Sequence, residues 1–210
     1  MILKVTPSLI NSYRYWANFD KGVYDDPEVG EAKEAAALQD FKDYLCRVER
    51  PTSEAAQAGI DFENKLTTYD FSDVEDETLR NIYIDMAHKV KGGLWQVKLT
   101  KVLDVKGLTI SLEGKTDVIK QSKIFDVKRT SKYDIGKFQG NIQHASYILM
   151  SEINDFEYLI NENDKNFYVE SYTLTQGQAY NEVVSGIIEL IDGIKNLDMW
   201  DEFVKNWSKQ

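Results

Sequence analysis

The segment from Leu108 to Lys128, LTISLEGKTDVIKQSKIFDVK, carries the clearest pattern in the chain. Leu108, Ile110 and Leu112 alternate with Thr109, Ser111 and Glu113, the period of a half-buried strand. Ile124 to Lys128 is a second run, with Phe125 and Val127 on one face and Asp126 and Lys128 on the other. The polar stretch Lys120 to Lys123 lies between them. With Gln121-Ser122 as a two-residue turn, Lys120 faces Lys123, Ile119 faces Ile124, Val118 faces Phe125 and Asp117 faces Asp126. A strand over Trp95–Val105, turning at Lys106-Gly107, precedes this hairpin. Strands over Phe156–Asn161 and Asn166–Leu174, around the loop Glu162–Lys165, follow it.

The remaining pattern is helical. Pro7–Trp16 places Leu9, Ile10, Tyr13 and Trp16 at helical spacing, and a polar loop runs on through Asp26-Pro27. Glu31–Val48 is a helix buried along Ala36, Leu38, Phe41, Leu45 and Val48. Thr52–Tyr69 is the next, capped by Thr52 or Ser53, with Ala55, Gly59, Phe62 and Leu66 as its apolar stripe. A helix-interior glycine costs about 1 kcal/mol relative to alanine, so close packing or a backbone approach is expected at Gly59. Asp76–Val90 is a helix broken by Gly92-Gly93. Gly136–Met150 is another, with Phe138, Ile142, Ala145 and Leu149 inward and Gln139, Gln143 and Tyr147 on the adjacent face. Gln178–Trp207 is a long helical tail, interrupted near Gly193. Helices, three strands, a helix, two strands and a helix make an α/β (α+β) fold with a central mixed sheet flanked by helices.

At 210 residues, a single domain spanning the chain is expected. The lone Cys46 rules out an internal disulfide and a four-cysteine cluster. No apolar run approaches the ~20 residues of a membrane span, so a soluble, cytoplasmic protein is expected. Two histidines, neither in a nucleophile-like setting, give a histidine-based triad little support. The net charge of −10 argues against nucleic acid unless positive charge is local. The local candidate is Lys128, Arg129, Lys132 and Lys137; a solvated loop is the other interpretation of that run.

Directly opposed carboxylates are destabilising, so an Asp117–Asp126 pair wants a cation between them. Lys128 points to the same face as Asp126. Two carboxylates and a lysine at one point of a sheet could form a hard-cation site, or a solvated face with a neutralising lysine.

GKTD, followed by DVK nine residues after its aspartate, resembles the second and third motifs of the PD-(D/E)XK nuclease superfamily, in particular its RecB-like and phage-exonuclease branch. Gly59-Ile60-Asp61-Phe62-Glu63 resembles the upstream G-x-x-x-(H/E) motif, and Gln143-His144-Ala145-Ser146-Tyr147 the following Q-x-x-x-Y motif. The helical start Ser8–Trp16 extends the likeness weakly. The resemblance implies a restriction-endonuclease-like core and a Mg²⁺-dependent DNA nuclease, with Mn²⁺ as a substitute, more in keeping with an exonuclease than an endonuclease. It implies Asp117, Asp126 and Glu63 as metal ligands, with the Val127 carbonyl available. Lys128 would orient a water or stabilise the transition state, and Gln143 would orient Lys128, a water or a phosphate. Arg129, Lys132, Lys137 and Tyr147 would meet the nucleic acid. Glutamate at Glu63, where many RecB-like relatives carry histidine, favours Mg²⁺ over softer metals. DNA is the expected partner; a recombination partner protein and a homo-oligomer are compatible with the likeness. The rival functions are a non-cleaving nucleic-acid-binding or recombination accessory protein and an acidic interaction module of a mobile element.

Overall fold

The structure is a computed structural model and describes residues 1–209. The elements run β1 (Ile2–Val5), α1 (Pro7–Ala17), α2 (Pro27–Leu45), α3 (Glu54–Thr68), α4 (Glu77–Val90), β2 (Leu94–Val105), β3 (Leu108–Lys120) and β4 (Lys123–Thr130). They continue with α5 (Gln143–Ser151), β5 (Asp155–Glu162), β6 (Asn166–Thr173), α6 (Gln176–Asn196), α7 (Trp200–Trp207) and β7 (Ser208–Lys209). The strands form one seven-stranded mixed sheet among the described residues, with β2 lying alongside β3.

The long strand β3 organises the sheet. β2 pairs with it antiparallel from Leu94↔Ile119 to Val105↔Leu108, taking one edge along nearly its whole length. Its other edge is shared. β1 pairs in parallel at Thr109 to Leu112, and β4 pairs antiparallel at Val118 to Lys120. Residues 113–117 lie between the two partners, so the sheet forks there. β4 continues the sheet in parallel with β5, and β5 in antiparallel with β6.

Two apolar layers enclose the sheet. On one side Leu9, Phe41, Ile148, Ile187 and Phe203 of the α1, α2, α5, α6 and α7 layer pack on Ile110, Leu112, Ile124 and Phe156. On the other, Phe62 and Leu66 of α3 and Tyr83, Met86 and Val90 of α4 pack on Val118, Phe125 and Leu159.

Helix starts follow local chemistry where a side chain can supply the missing acceptor. Ser53 Oγ accepts from Ala56 N and Asp76 Oδ1 from Leu79 N, at 3.2 and 2.9 Å. The expected hairpin register is the observed one, Val118↔Phe125 to Lys120↔Lys123, with Gln121 at φ 55 in the turn.

Several expectations differ from the fold. The expected helix over Gly136–Met150 begins only at Gln143. Gly136 has φ 84, and Asn11 and Asn141 bond to each other and to the amides of Ile142 and Gln143, so contact with α1 sets the start of α5. The tail continues through Gly193, where the Tyr13 ring occupies the space of a Cβ, and breaks between Asn196 and Trp200 instead. β1 was not expected, and α2 starts at Pro27, capped by Asp26, rather than at Glu31. Apart from its chain neighbours and its own helix backbone, no atom of the described residues lies within 4 Å of a Cβ placed on Gly59, so packing against another element does not account for that glycine. No helix among the described residues is long and apolar enough to cross a membrane.

Candidate active site

The carboxylates meet at the fork. The ladder stops at Val118↔Phe125, one residue short of Asp117 and Asp126. The strands are joined there by a side chain instead: Val127 N–H donates to Asp117 Oδ2 at 2.8 Å. Asp126 is 1% exposed, whereas Asp117 is half-buried. Gln143, at the start of α5, donates from Nε2 to Asp126 Oδ1 at 2.6 Å. Lys128, on the Asp126 side of β4, donates to Gln143 Oε1 at 3.3 Å. Its Nζ lies 2.5 Å from Asp126 Oδ2. That oxygen nonetheless has no donor in hydrogen-bond geometry, so the contact with Lys128 is a charge contact and not a directed bond.

The electrostatics follow from this burial. Burial raises the Asp117 pKa well above its usual value, and the charges of Asp126 and Glu63 add to the effect. Burial also raises that of Asp126, against the pull of Lys128. For Lys128 burial acts downward, but Asp126, Asp117 and Glu63 outweigh it and the ammonium is held charged.

Glu63 projects from α3 toward the same centre. Its carboxylate accepts a bond from Gln96 Nε2 of β2, and burial raises its pKa. Among the described residues no three Asp, Glu, His or Cys side chains converge closely enough to cage a metal ion. Tyr147, one turn inward from the start of α5 and 5% exposed, donates to Lys115 O at 2.8 Å. Gln143 also reaches Tyr147 Oη, at 3.5 Å.

The basic run after β4 is partly occupied. Arg129 is paired with Asp164 through bonds of 3.0 and 2.5 Å. Lys137 closes its own loop on Thr130 Oγ1 and Lys132 O, at 2.7 and 2.6 Å, and Lys132 lies 3.2 Å from Asp134. Two lysines not singled out from the sequence stand nearer the fork. Lys98 and Lys115 are exposed on a cleft of about 440 Å³ beside Gly114 and Tyr147. Their signal was strand parity: Lys115 is two residues from Asp117, and Lys98 is its cross-strand partner.

These observations define a mixed α/β fold with a buried acid–acid–lysine cluster where its sheet forks. The fold is shared with the solved protein SSO0001: the likeness covers 89% of this chain and 75% of that one, at 13% identity and a TM-score of 0.51. Two more distant likenesses are a Eubacterium rectale protein named as a candidate exonuclease and an alkaline exonuclease of Laribacter hongkongensis. The first is 15% identical over 96% of this chain and 88% of that one, with a TM-score of 0.49. The second is 12% identical over 93% and 91%, with a TM-score of 0.42. No family model matches the sequence, and no curated protein does.

Proposed function

We propose that the protein is a metal-dependent DNA nuclease that hydrolyses phosphodiester bonds, working as an exonuclease from linear ends in phage- or prophage-type recombination or repair. One observation carries this interpretation. Asp126 Oδ2 is a buried oxygen that the Lys128 ammonium approaches without a directed hydrogen bond, beside a second carboxylate, a combination that fits an oxygen-seeking divalent cation. Asp117 and Asp126 would hold Mg²⁺, or Mn²⁺ in its place, with the Val127 carbonyl within the same strand; because among the described residues no third acidic side chain converges on them directly, Glu63 would join through water. Such an ion would lower the pKa of a bound water and offset phosphate charge.

The remaining roles belong to the chain. Lys128 is held charged and can orient the attacking water or stabilise the developing charge on phosphorus. Gln143 links Lys128 to Asp126 and so fixes their relative orientation. Lys98 and Lys115 are exposed to meet phosphates, with Lys132 and Lys137 as further contacts to the strand; Tyr147, buried and bonded to Lys115 O, supports that segment of β3 instead of touching the nucleic acid. The Arg129–Asp164 pair favours a structural role for that arginine.

The test is incubation with end-labelled linear DNA and closed circular DNA, with and without Mg²⁺. Mg²⁺-dependent loss of the linear form alone is expected. Equal cleavage of both forms identifies an endonuclease. Binding without cleavage, whatever the cation, refutes the catalytic assignment and leaves the accessory-protein function.

A further inference from the structure

Gln96 falls at the β2 position that the flanking register would set opposite Asp117 of β3. Trp95 pairs with Val118 and Val97 with Thr116, and the position between them drops out of the ladder. There Gln96 takes φ 56, the left-handed region, inside a strand. A side chain with a Cβ is strained in that region, and such strain persists only where surrounding contacts over-determine it. The contact made here is with Glu63: Gln96 Nε2 donates to Glu63 Oε1, tying β2 to α3. Both residues are half-buried, and the Glu63 charge is felt at Asp117 and Lys128.

We infer that Gln96 is a positioning residue, held in a strained conformation so that its carboxamide fixes Glu63 toward the Asp117–Asp126 pair as part of a divalent-cation site. The inference rests on the metal-site interpretation above. A neutral donor suits this role. It immobilises the carboxylate without neutralising it, as a lysine would, and it leaves Oε2 outside that bond. Glutamate carries rotamer freedom that must be lost when it binds a cation. Fixing it beforehand removes that cost from the binding step.

The experiment is calorimetric titration of Mn²⁺ into the DNA-free protein. Gln96→Met keeps the side-chain length and removes the donor. Gln96→Gly removes the donor while favouring the observed φ, and serves where the methionine variant folds poorly. Affinity for Mn²⁺ should fall about 10- to 100-fold, the usual effect of losing a partner that orients a ligand. Adding Gln96→Met to Glu63→Ala should cause no further fall, since Gln96 acts through Glu63. Unchanged affinity in both Gln96 variants overturns the inference alone. So does an equal loss with and without Glu63, which would mark a general effect on the fold. A wild-type protein that takes up no Mn²⁺ overturns the metal-site interpretation, and this inference with it.

Discussion

Replacing Lys128 with methionine should separate three properties of the site. The change keeps most of the side-chain length and removes the ammonium that lies 2.5 Å from Asp126 Oδ2. The Asp126 side chain is 2% exposed and that of Lys128 is 28% exposed. Removing one partner of a buried ion pair typically costs 3–5 kcal/mol, because the remaining charge is left uncompensated. The partial exposure of Lys128 and the surviving Gln143 bond reduce this to about 2–3 kcal/mol. For a domain of this size that lowers the melting temperature by roughly 5–10 °C.

The deficit should depend on pH with a definite sign. Burial already raises the folded Asp126 pKa above 3.8, and losing Lys128 raises it further. The folded state then binds a proton more readily than the unfolded state. Stability is therefore least affected below about pH 4 and falls as the pH rises through the folded value. A divalent cation should restore melting at neutral pH, and Asp126→Asn in the same chain should restore it without one. Cleavage should fall by about 10² or more, the scale of one preorganised electrostatic contact. Thermal melts at several pH values, with EDTA and with Mn²⁺, read the first two effects, and end-labelled DNA reads the third. A variant that melts with wild type and cuts at the wild-type rate refutes the role given to Lys128.

Three further outcomes are expected. Gly114→Ala should cost about 1–3 kcal/mol and impair cleavage, because the added Cβ would meet the Tyr147 ring at 2.6 Å and push on α5; unchanged melting refutes that packing. Glu113 accepts from Lys4, Lys209 and Ser111, joining β1, β7 and β3; against the opposing effect of burial these donors lower its pKa to about 2, so up to ~3 kcal/mol of stability should be lost as the pH falls from 4.5 toward that value. Glu113→Gln should flatten that part of the pH–stability curve, and an unchanged slope counts against the clamp. His144 is 3% exposed and stacked 3.9 Å from Tyr172, and burial lowers its pKa to about 4. Its contribution should be complete above pH 6.5 and disappear as the pH falls toward 4, because the unfolded chain takes up the proton first; His144→Phe should remove that dependence, as read by melts between pH 4 and 7.

What the sequence determined by itself was local. Alternation and a two-residue turn were enough to set the register from Val118↔Phe125 to Lys120↔Lys123, because a hairpin's register follows from its turn. Thr52 or Ser53, and Asp76, marked helix starts because a cap acts within its own first turn, and Ser53 and Asp76 are the caps observed. Spacing also placed Glu63 and Gln143 on helices, though not what each would touch. The tertiary structure decided the rest. β1 is four residues long and owes its pairing to β3, more than 100 positions away. The start of α5 depends on Asn11 of α1, and Arg129 is engaged by Asp164 from the turn after β5. The left-handed Gln96 is invisible in a strand of ordinary composition, and its bond to Glu63 of α3 joins residues 33 positions apart. Side chains far apart in the chain carry no mutual signal in one sequence. Their meeting is fixed by burial of the two apolar layers against a forked sheet.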